Sequence, residues 1–375
     1  MELDHHQVEE QQVETLSPLD HKFCVKDFVW SKEEWPTIDH DDYESGDNIP
    51  MISLLKVING KKDEDYLKAC NDMVMASEKW GFFKLVDHGV KLEIIENMKK
   101  MCNDMFDLPM EKKMKGGRSA SLPLGYSATN PDYGKNLPWA EIIQLLQSPQ
   151  QVVAFATKVY GDQYHQPFSD AMLAYMHELD KLGMLIFEML ADGLGLPSDF
   201  FSKNFKEEKE ATMIRVNRYP KCPLPHKCLG LGSHSDPHTL TILLQDDKVG
   251  GLQVLSPNDN QWVGIRPIPN SFVINIGDTL QAWTNGKLKS VVHRAVVNKE
   301  KSRLSAAYFL SPCSQVMIES PQELIDPICN PRLYLPFSWS DFRNQLLSQK
   351  RILGKTALQR YLISPCSRPT NKQIF

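Results

Sequence analysis

The stretch GLGSHSDPHTLTILLQDD (230–247) contains two histidines and an aspartate in the five positions from His234 to His238. His234 and Asp236 are two positions apart, so on a β-strand both side chains would leave the same face. A histidine and an aspartate that point into a barrel need a partner, because burial of an unpaired charge is costly. A metal ion would supply that partner, so the spacing indicates two ligands of a metal site.

A third ligand has to come from another part of the chain. His226 lies in the Pro-rich stretch KCPLPHKC, and His238 is separated from Asp236 by a proline. His293 lies within the strand-like run SVVHRAVV, which a barrel can bring beside the first strand. His293 is therefore the preferred third ligand. Two histidines and one carboxylate on one face of an octahedron form the ligand set of non-haem Fe(II) oxygenases, with open positions for a co-substrate and O2.

An arginine and a serine follow this candidate ligand set. Arg303 stands ten residues after His293, and Ser305 is two positions further on, so both side chains share one face of a strand. A guanidinium group beside a hydroxyl group is suited to a carboxylate, which it can bind through a bidentate pair and one further hydrogen bond. The pattern therefore indicates a binding site for the carboxylate of an acidic co-substrate.

The elements that must position these side chains are predicted to be mainly β after Ala211. Short runs rich in Val, Ile and aromatic residues are separated by Gly, Pro, Asn and Asp at intervals of about ten residues, which is typical of an antiparallel barrel or a double-sheet jelly roll. The predicted strands are TMIRVNRYP, TLTILLQDD, GLQVL, QWVGIRP, SFVINIGD, VVHRAVV and RLSAAYFLSP.

The rest of the chain is predicted to be largely helical, which makes the fold class mixed α+β. Before the β region we predict a short strand in NIPMISL, a helix over 63–79, a strand in WGFFKLVDHGV, a helix in LEIIENMKKMCNDMFDLP, a loop over 115–138 and a long helix from Ser169 to about Leu194. SWSDFRNQLLSQKRI is a candidate helix near the C-terminus. The predicted units are an acidic, partly disordered N-terminal arm (1–48), an N-terminal region (49–150), a helical connection (151–209), the β core (210–312) and a C-terminal helical tail (313–375).

Composition argues against several classes of function. The formal net charge of -5 and the pI near 6.1 provide no basic surface, so nucleic acid is not an expected partner. No apolar run is long enough to span a membrane, and the acidic N-terminus does not read as a signal or transit peptide. The eight cysteines are scattered without a CxxC pair, which favours a reduced, cytoplasmic protein. No obligate protein partner is evident.

The motifs HSD, H and RLS, with WGFFKLVDHGV upstream and RVNRYPKC before the β core, resemble the plant 2-oxoglutarate- and Fe(II)-dependent dioxygenases from about Ile49 to about Ser364. This resemblance implies a double-stranded β-helix (jelly roll, cupin-like), with Fe(II), 2-oxoglutarate and O2 as requirements and ascorbate as reductant. The residues that it implies are His234, Asp236 and His293 as iron ligands, and Arg303, Ser305, Tyr219 and Asn217 as the 2-oxoglutarate site.

The substrate implied is a small plant metabolite. The stretch GYSATNPDYGKNLPWAEII (125–143) resembles the loop of gibberellin 20-oxidases, which implies oxidation, by hydroxylation or desaturation, of a gibberellin or related diterpenoid. RVNRYPKC differs from the NYYPPC run usual in those enzymes. The alternatives are the same chemistry on a flavonoid, alkaloid or other terpenoid, including O-demethylation, and a non-catalytic cupin-like binding protein. The expected pocket wall includes parts of 125–139, Phe309 and the C-terminal helix.

Overall fold

Two β-sheets form the centre of the protein in a computed structural model that describes residues 19, 23–43, 48–57, 63–119, 124–128, 136–205, 212–347 and 356–363. The strands are β1 (Met51–Ser53), β2 (Phe82–Val86), β3 (Tyr126–Ser127), β4 (Glu141–Leu146), β5 (Met213–Tyr219), β6 (Leu229–His234), β7 (Leu240–Leu244), β8 (Leu252–Leu255), β9 (Trp262–Gly264), β10 (Phe272–Ile276), β11 (His293–Val296), β12 (Arg303–Leu310), β13 (Met317–Ile318) and β14 (Phe337–Ser338). The larger sheet has the order β1-β2-β10-β7-β12-β5-β4-β3, and the smaller has the order β6-β11-β8-β9. This is the predicted jelly-roll architecture.

Helices pack around the sheets, and the longest described helix contacts β7 and β12 of the larger sheet. The helices are α1 (Glu64–Lys79), α2 (Leu92–Phe106), α3 (Met110–Lys115), α4 (Pro149–Tyr160), α5 (Gln166–Gly193), α6 (Asp278–Trp283), α7 (Trp339–Leu347) and α8 (Thr356–Gln359). The predicted long helix is α5, and its apolar stripe is core: Met176 and Ile186 are fully buried. Gly183 lets α5 approach β12, since a Cβ there would lie 2.5 Å from the side chain of Leu310. Among the described helices, none combines the length and apolar character of a membrane span.

Strand β12 lies at the middle of the larger sheet and is buried along its whole length. It pairs antiparallel with β5 on one side and with β7 on the other. Its even-numbered residues, such as Leu304 and Tyr308, join the hydrophobic core under α5. Because side chains alternate along a strand, its odd-numbered residues face the opposite side, between the two sheets.

Three elements around the site were not predicted. Strands β4 and β6 and helix α6 fall in stretches that carry weak local signals. The sequence of β6 (LGLGSH) holds two glycines, which are poor strand formers, and α6 has only six residues. Tertiary pairing stabilises β6, since its partner β11 supplies the hydrogen bonds that local propensity does not favour.

The stretch FVWSKEEWP packs against the body of the protein and contains a 3-10 turn at Lys32–Glu34. Trp30 is 2% exposed and donates from its indole Nε1 to the carbonyl of Leu137 at 3.1 Å. Phe28 contacts the ring of Trp139 edge-on, with ring centroids 5.0 Å apart. Partial disorder was predicted for the arm, and its residues 1–18, 20–22 and 44–47 lie outside the described residues.

A buried ionic cluster joins the helices to the sheet at the position where RVNRYPKC differs from NYYPPC. Arg218 of β5 lies opposite Glu141 of β4 and donates to its Oε2 through Nε (3.0 Å) and a terminal nitrogen (2.7 Å). The other oxygen of Glu141 accepts from Lys113 and from the hydroxyl of Tyr126. The arginine at this position is therefore a cross-strand partner of Glu141, and it anchors the strand that carries Asn217 and Tyr219.

Candidate active site

The three predicted metal ligands converge between the sheets. His234 ends β6 and His293 begins β11, and the register of the two strands places them directly opposite each other. Their ring centroids are 4.3 Å apart. Oδ1 of Asp236 lies 3.5 Å from Nε2 of His234 and 3.7 Å from Nε2 of His293. One ligand atom from each residue thus lies within 4.8 Å of the others, and this is the one such cluster found among the described residues.

Two details of the prediction need correction. The alternation argument placed His234 and Asp236 on one strand, but β6 ends at His234 and Asp236 lies in the loop that follows. His293 was expected within a strand and instead begins one. The side chains still converge because the loop turns the carboxylate back towards the pair of imidazoles.

Hydrogen bonds fix both imidazoles with Nε2 facing the cluster. Nδ1 of His234 lies 2.8 Å from the carbonyl oxygen of Gly232, and Nδ1 of His293 lies 3.2 Å from that of Val291. A carbonyl oxygen can only accept, so each Nδ1 carries the proton and each Nε2 presents its lone pair. This is the tautomer that a metal ion requires of a histidine ligand.

Two side chains that the sequence did not single out orient the carboxylate. Oδ2 of Asp236 accepts from the hydroxyl of Thr241 at 2.6 Å and from the amide of Asn275 at 2.8 Å. Both bonds use the same oxygen, so Oδ1 is left to face the two imidazoles. Thr241 lies in the predicted strand TLTILLQDD, and nothing in its local pattern distinguishes it from an ordinary strand residue.

Helix α6 locks the loop that carries Asp236. The backbone N–H of Asp278 donates to the carbonyl of Asp236 at 2.7 Å, and the side chain of Asp278 accepts from Ser235 at 3.0 Å. Gly277 is required for this close approach, because a Cβ there would lie 1.8 Å from the carbonyl oxygen of His238. The loop is therefore held from its backbone as well as from its side chains.

We expect Thr241→Val to weaken Fe(II) binding about 10- to 100-fold, the usual cost of losing a hydrogen bond to a ligand. The substitution keeps the shape of the side chain but removes the donor to Asp236. Thr239→Val is the matched control, because Thr239 is equally buried and its hydroxyl has no hydrogen-bond partner in the described part of the chain. Anaerobic Fe(II) titration measures both, and equal affinities for the two variants would contradict the orienting role.

Burial and mutual charge set the protonation of the cluster. Burial lowers the pKa of His293 to about 4, and the neighbouring His234 acts in the same direction. Burial alone would raise the pKa of Asp236, but His293, His234 and the hydrogen bond from Thr241 hold it well below its usual range. At neutral pH the cluster therefore contains a neutral His293 and an ionised carboxylate, which are the forms that bind a metal cation.

The four predicted co-substrate residues form two cross-strand pairs. Arg303 of β12 lies opposite Tyr219 of β5, and Ser305 lies opposite Asn217. The guanidinium group of Arg303 stacks over the ring of Tyr219, 5.2 Å from its centroid. The amide of Asn217 donates to the hydroxyl of Ser305 at 3.4 Å. The structure thus brings all four residues together on the inner face of the larger sheet.

Arg303 has the properties of a site for an anion. It is 4% exposed, yet its Nε atom is buried without a hydrogen-bond partner in the described part of the chain, and its one side-chain bond, to Gln245, is long at 3.4 Å. A buried guanidinium group with unused donors is costly, and a carboxylate would supply the missing acceptors. Gly230 leaves room beside Tyr219, where a Cβ would lie 2.4 Å from the ring. These residues fit the distal carboxylate of 2-oxoglutarate.

A cavity of about 220 Å³ connects the two groups of residues. It is lined by the three candidate ligands, by the four co-substrate residues and by Phe309, as expected for Phe309. The other parts of the expected wall are not among the lining residues that the structure describes. Gln144, Met213 and Arg215, which the sequence did not single out, also line the cavity, as does His238, which was considered only as a metal ligand.

His226 and His238, the other candidates for the third ligand, lie outside the cluster. His226 lies in an exposed loop, in the wall of a surface groove beside the N-terminal arm. His238 lines the cavity, but its ring is turned towards Ser311, with Nδ1 2.7 Å from the hydroxyl oxygen. Among these three histidines, His293 is the one that the structure brings beside His234 and Asp236.

Comparison with known proteins gives consistent matches over most of the chain. Residues 211–312 match the family model of the 2OG-Fe(II) oxygenase superfamily, and residues 49–164 match that of the non-haem dioxygenase in morphine synthesis N-terminal region. Gibberellin 20 oxidase 2 of Arabidopsis thaliana is 36% identical over 84% of this chain and 80% of its own length. Jasmonate-induced oxygenase 2 of the same plant is 37% identical over 81% of this chain and 80% of its own length.

Solved structures give the same result. The crystal structure of JOX2 in complex with 2OG, Fe and JA aligns with a TM-score of 0.76 and 31% identity, and covers 97% of this chain and 98% of that one. The crystal structure of the dioxygenase for auxin oxidation from rice aligns with a TM-score of 0.69 and 28% identity, and covers 84% of this chain and 100% of that one.

Proposed function

The chain belongs to the 2OG-Fe(II) oxygenase superfamily, and we propose that it oxidises a small plant carboxylic acid, with a gibberellin or related diterpenoid acid as the first candidate. It is a dioxygenase that uses Fe(II) and 2-oxoglutarate. Iron and 2-oxoglutarate supply the oxidising chemistry, with consumption of O2 and release of succinate and CO2. The proposal concerns the substrate that is oxidised.

We propose that each group of side chains has one task. His234, Asp236 and His293 would hold Fe(II) from one side, which leaves the remaining positions to the co-substrate and O2. Arg303 and Ser305 would bind the distal carboxylate of 2-oxoglutarate, and the ring of Tyr219 would form the floor of that site. The amide of Asn217 accepts a hydrogen bond from Arg215 and donates to Ser305, so it would orient the guanidinium group of Arg215 and the hydroxyl group of Ser305.

The observation that carries the proposed substrate class is the state of Arg215. It lies on β5 two positions before Asn217, in the wall of the same cavity. Its Nε donates to Asn217 at 2.8 Å, but one terminal nitrogen is buried with no hydrogen-bond partner in the described part of the chain. A second guanidinium group with a free donor, next to the 2-oxoglutarate site, is suited to the carboxylate of the substrate.

The relatives support this class. Gibberellin, JA and auxin, the compounds in their names and titles, are all carboxylic acids. The cavity volume of about 220 Å³ is below the range of about 300–1,000 Å³ common for ligand pockets. A compact acid of the JA or auxin type is therefore the second candidate, because a diterpenoid would require more movement of the cavity wall than such an acid.

We expect Arg215→Gln to raise the KM for the acid substrate about 10- to 100-fold, since it removes a charged hydrogen bond to that compound, and to change the KM for 2-oxoglutarate much less. The substrate is first identified by mass spectrometry of products from gibberellins, jasmonic acid, auxin, flavonoids and other terpenoid acids. The methyl ester of that acid is the control, and its KM should change little.

Two results would contradict the proposed class. Turnover of neutral flavonoids or alkaloids, with none of the acids, would replace it with the alternative specialised metabolites. A rise in the KM for 2-oxoglutarate instead of the acid would place Arg215 in the co-substrate site. The cytoplasmic location and the lack of an obligate protein partner stay predictions.

A further inference from the structure

The inner faces of β5 and β12 form a ladder of cross-strand pairs that continues past the residues discussed so far. The pairs Tyr219–Arg303 and Asn217–Ser305 are followed by the pair of Arg215 with Ala307 and then by that of Met213 with Phe309. All eight side chains line the cavity. The ladder thus runs from the 2-oxoglutarate end, past the guanidinium group of Arg215, to an end where no function has yet been assigned.

His238 occupies that far end. Its ring stacks on Phe309 with centroids 4.7 Å apart and an angle of 29° between the planes, and it packs against Trp339 at 5.7 Å. Nδ1 lies 2.7 Å from the hydroxyl of Ser311, which is not among the residues lining the cavity. The opposite edge of the ring, which carries Nε2, is therefore turned away from Ser311. No hydrogen bond to Nε2 is found among the described residues.

The Nε2 edge of this ring can form a hydrogen bond with a ligand in either tautomer, because Nδ1 is already paired with Ser311. Nε2 donates if the hydroxyl of Ser311 donates to Nδ1, and it accepts in the other tautomer. Either form can bind an uncharged polar group of a ligand.

We propose that His238 determines substrate specificity by a hydrogen bond from its Nε2 edge to a second oxygen function, a hydroxyl or carbonyl group, on an acid whose carboxylate is bound by Arg215. The inference rests on the proposed function, because it describes the same substrate further. The substrate is accordingly an oxygenated carboxylic acid, with its two polar groups held at different positions along the ladder and its apolar part against Met213 and Phe309.

The spacing along β12 limits the size of that substrate. The ring of His238 lies over Phe309, two residues from the Arg215–Ala307 pair, and its anchor Ser311 is four residues from that pair. At about 3.3 Å per residue, this places the two polar contacts about 7–13 Å apart along the strand. That span suits a compact hydroxy or keto acid.

The test uses two matched pairs of probes with the holoenzyme under anaerobic conditions. One pair is jasmonic acid and its deoxo analogue, and the other is a hydroxylated gibberellin and its deoxy counterpart. Binding is measured by calorimetry for the wild type, for His238→Phe and for His238→Gln. The phenylalanine keeps the stacking on Phe309 but has no nitrogen, and the glutamine restores an amide near the position of Nε2.

We expect the wild type to prefer the oxygenated member of at least one pair about five- to tenfold, the usual contribution of one neutral hydrogen bond. His238→Phe should reduce this preference to less than about twofold, and His238→Gln should restore part of it. In aerobic assays His238→Phe should also give a mixture of oxidation positions, because one of two anchors is lost. An equal preference in the wild type and His238→Phe, or none in the wild type for either pair, would overturn the inference.

Two features keep this test separate from the test of the proposed function. The methyl ester probes Arg215 and the deoxy analogue probes His238, so each assignment fails on a different change in the ligand. Calorimetric binding of 2-oxoglutarate to each variant shows that it is folded, since no residue of that site is changed. If the acids do not bind but neutral hydroxylated metabolites do, the proposed class is wrong. The inference then fails as stated, because it requires the carboxylate at Arg215.

Discussion

His293→Ala is expected to abolish both Fe(II) binding and turnover, and His234→Ala and Asp236→Ala should do the same. The structure brings three candidate ligand atoms within 4.8 Å of one another, and each substitution removes one of the three that would hold the ion. Removal of either histidine also takes away an imidazole whose orientation is fixed by a backbone carbonyl. Anaerobic Fe(II) titration and succinate release measure the two losses separately.

The control for these variants is His226→Ala. His226 was a candidate ligand in the sequence, but it lies in an exposed loop outside the cluster, so its loss should leave Fe(II) affinity at the wild-type value. Near wild-type turnover in any of the three ligand variants would remove that residue from the site. Loss of activity with full Fe(II) binding would indicate a structural role instead.

Arg303→Ala is expected to raise the KM for 2-oxoglutarate about 30- to 150-fold, which corresponds to about 2–3 kcal/mol. The reason is that a buried guanidinium group, already supported by the ring of Tyr219, would bind the distal carboxylate through charge-assisted hydrogen bonds. The effect should fall on the KM for 2-oxoglutarate, because the candidate Fe(II) ligands lie on the smaller sheet and in the loop that follows β6. Steady-state kinetics with varied 2-oxoglutarate measures it.

Two further variants sharpen this prediction. Arg303→Lys keeps the charge but not the planar fork, so it should recover part of the affinity and no more. Lys301→Ala removes an exposed cation from the start of the same region and should change nothing. An unchanged KM for 2-oxoglutarate in Arg303→Ala would refute the assignment of this residue.

The spacing rule for strands explains why two of the proposed co-substrate residues could be grouped from the sequence. Arg303 and Ser305 are two positions apart, and side chains two apart on a strand share a face. Asn217 and Tyr219 have the same spacing, but they were identified only through the resemblance carried by RVNRYPKC. Alternation also predicted that the side chains of His234 and Asp236 would converge. They do so for a different reason, because β6 ends at His234 and the loop that follows directs the carboxylate of Asp236 towards the imidazole.

The orienting residues could not be found in this way. Thr241, Asn275 and Asp278 act on Asp236 from three different elements, and each looks like an ordinary residue of its own segment. Arg218 and Glu141 are 77 residues apart, and only the pairing of β4 with β5 makes them partners. Contacts of this kind depend on strand order and register, which a local pattern does not contain.

The sequence alone determined the kinds of side chain available for chemistry: two imidazoles and a carboxylate for a metal, and a guanidinium with a hydroxyl for an oxo acid. It also determined the β character of the segments that carry them, because alternation and turn residues are local properties. Only the tertiary structure decided that β6 pairs with β11, so that His234 faces His293, and that β5 turns Arg215 towards the cavity beside the far-end His238. The physical reason is that side-chain alternation sets which residues share a face, whereas packing between distant strands decides which face is inside and what it meets there.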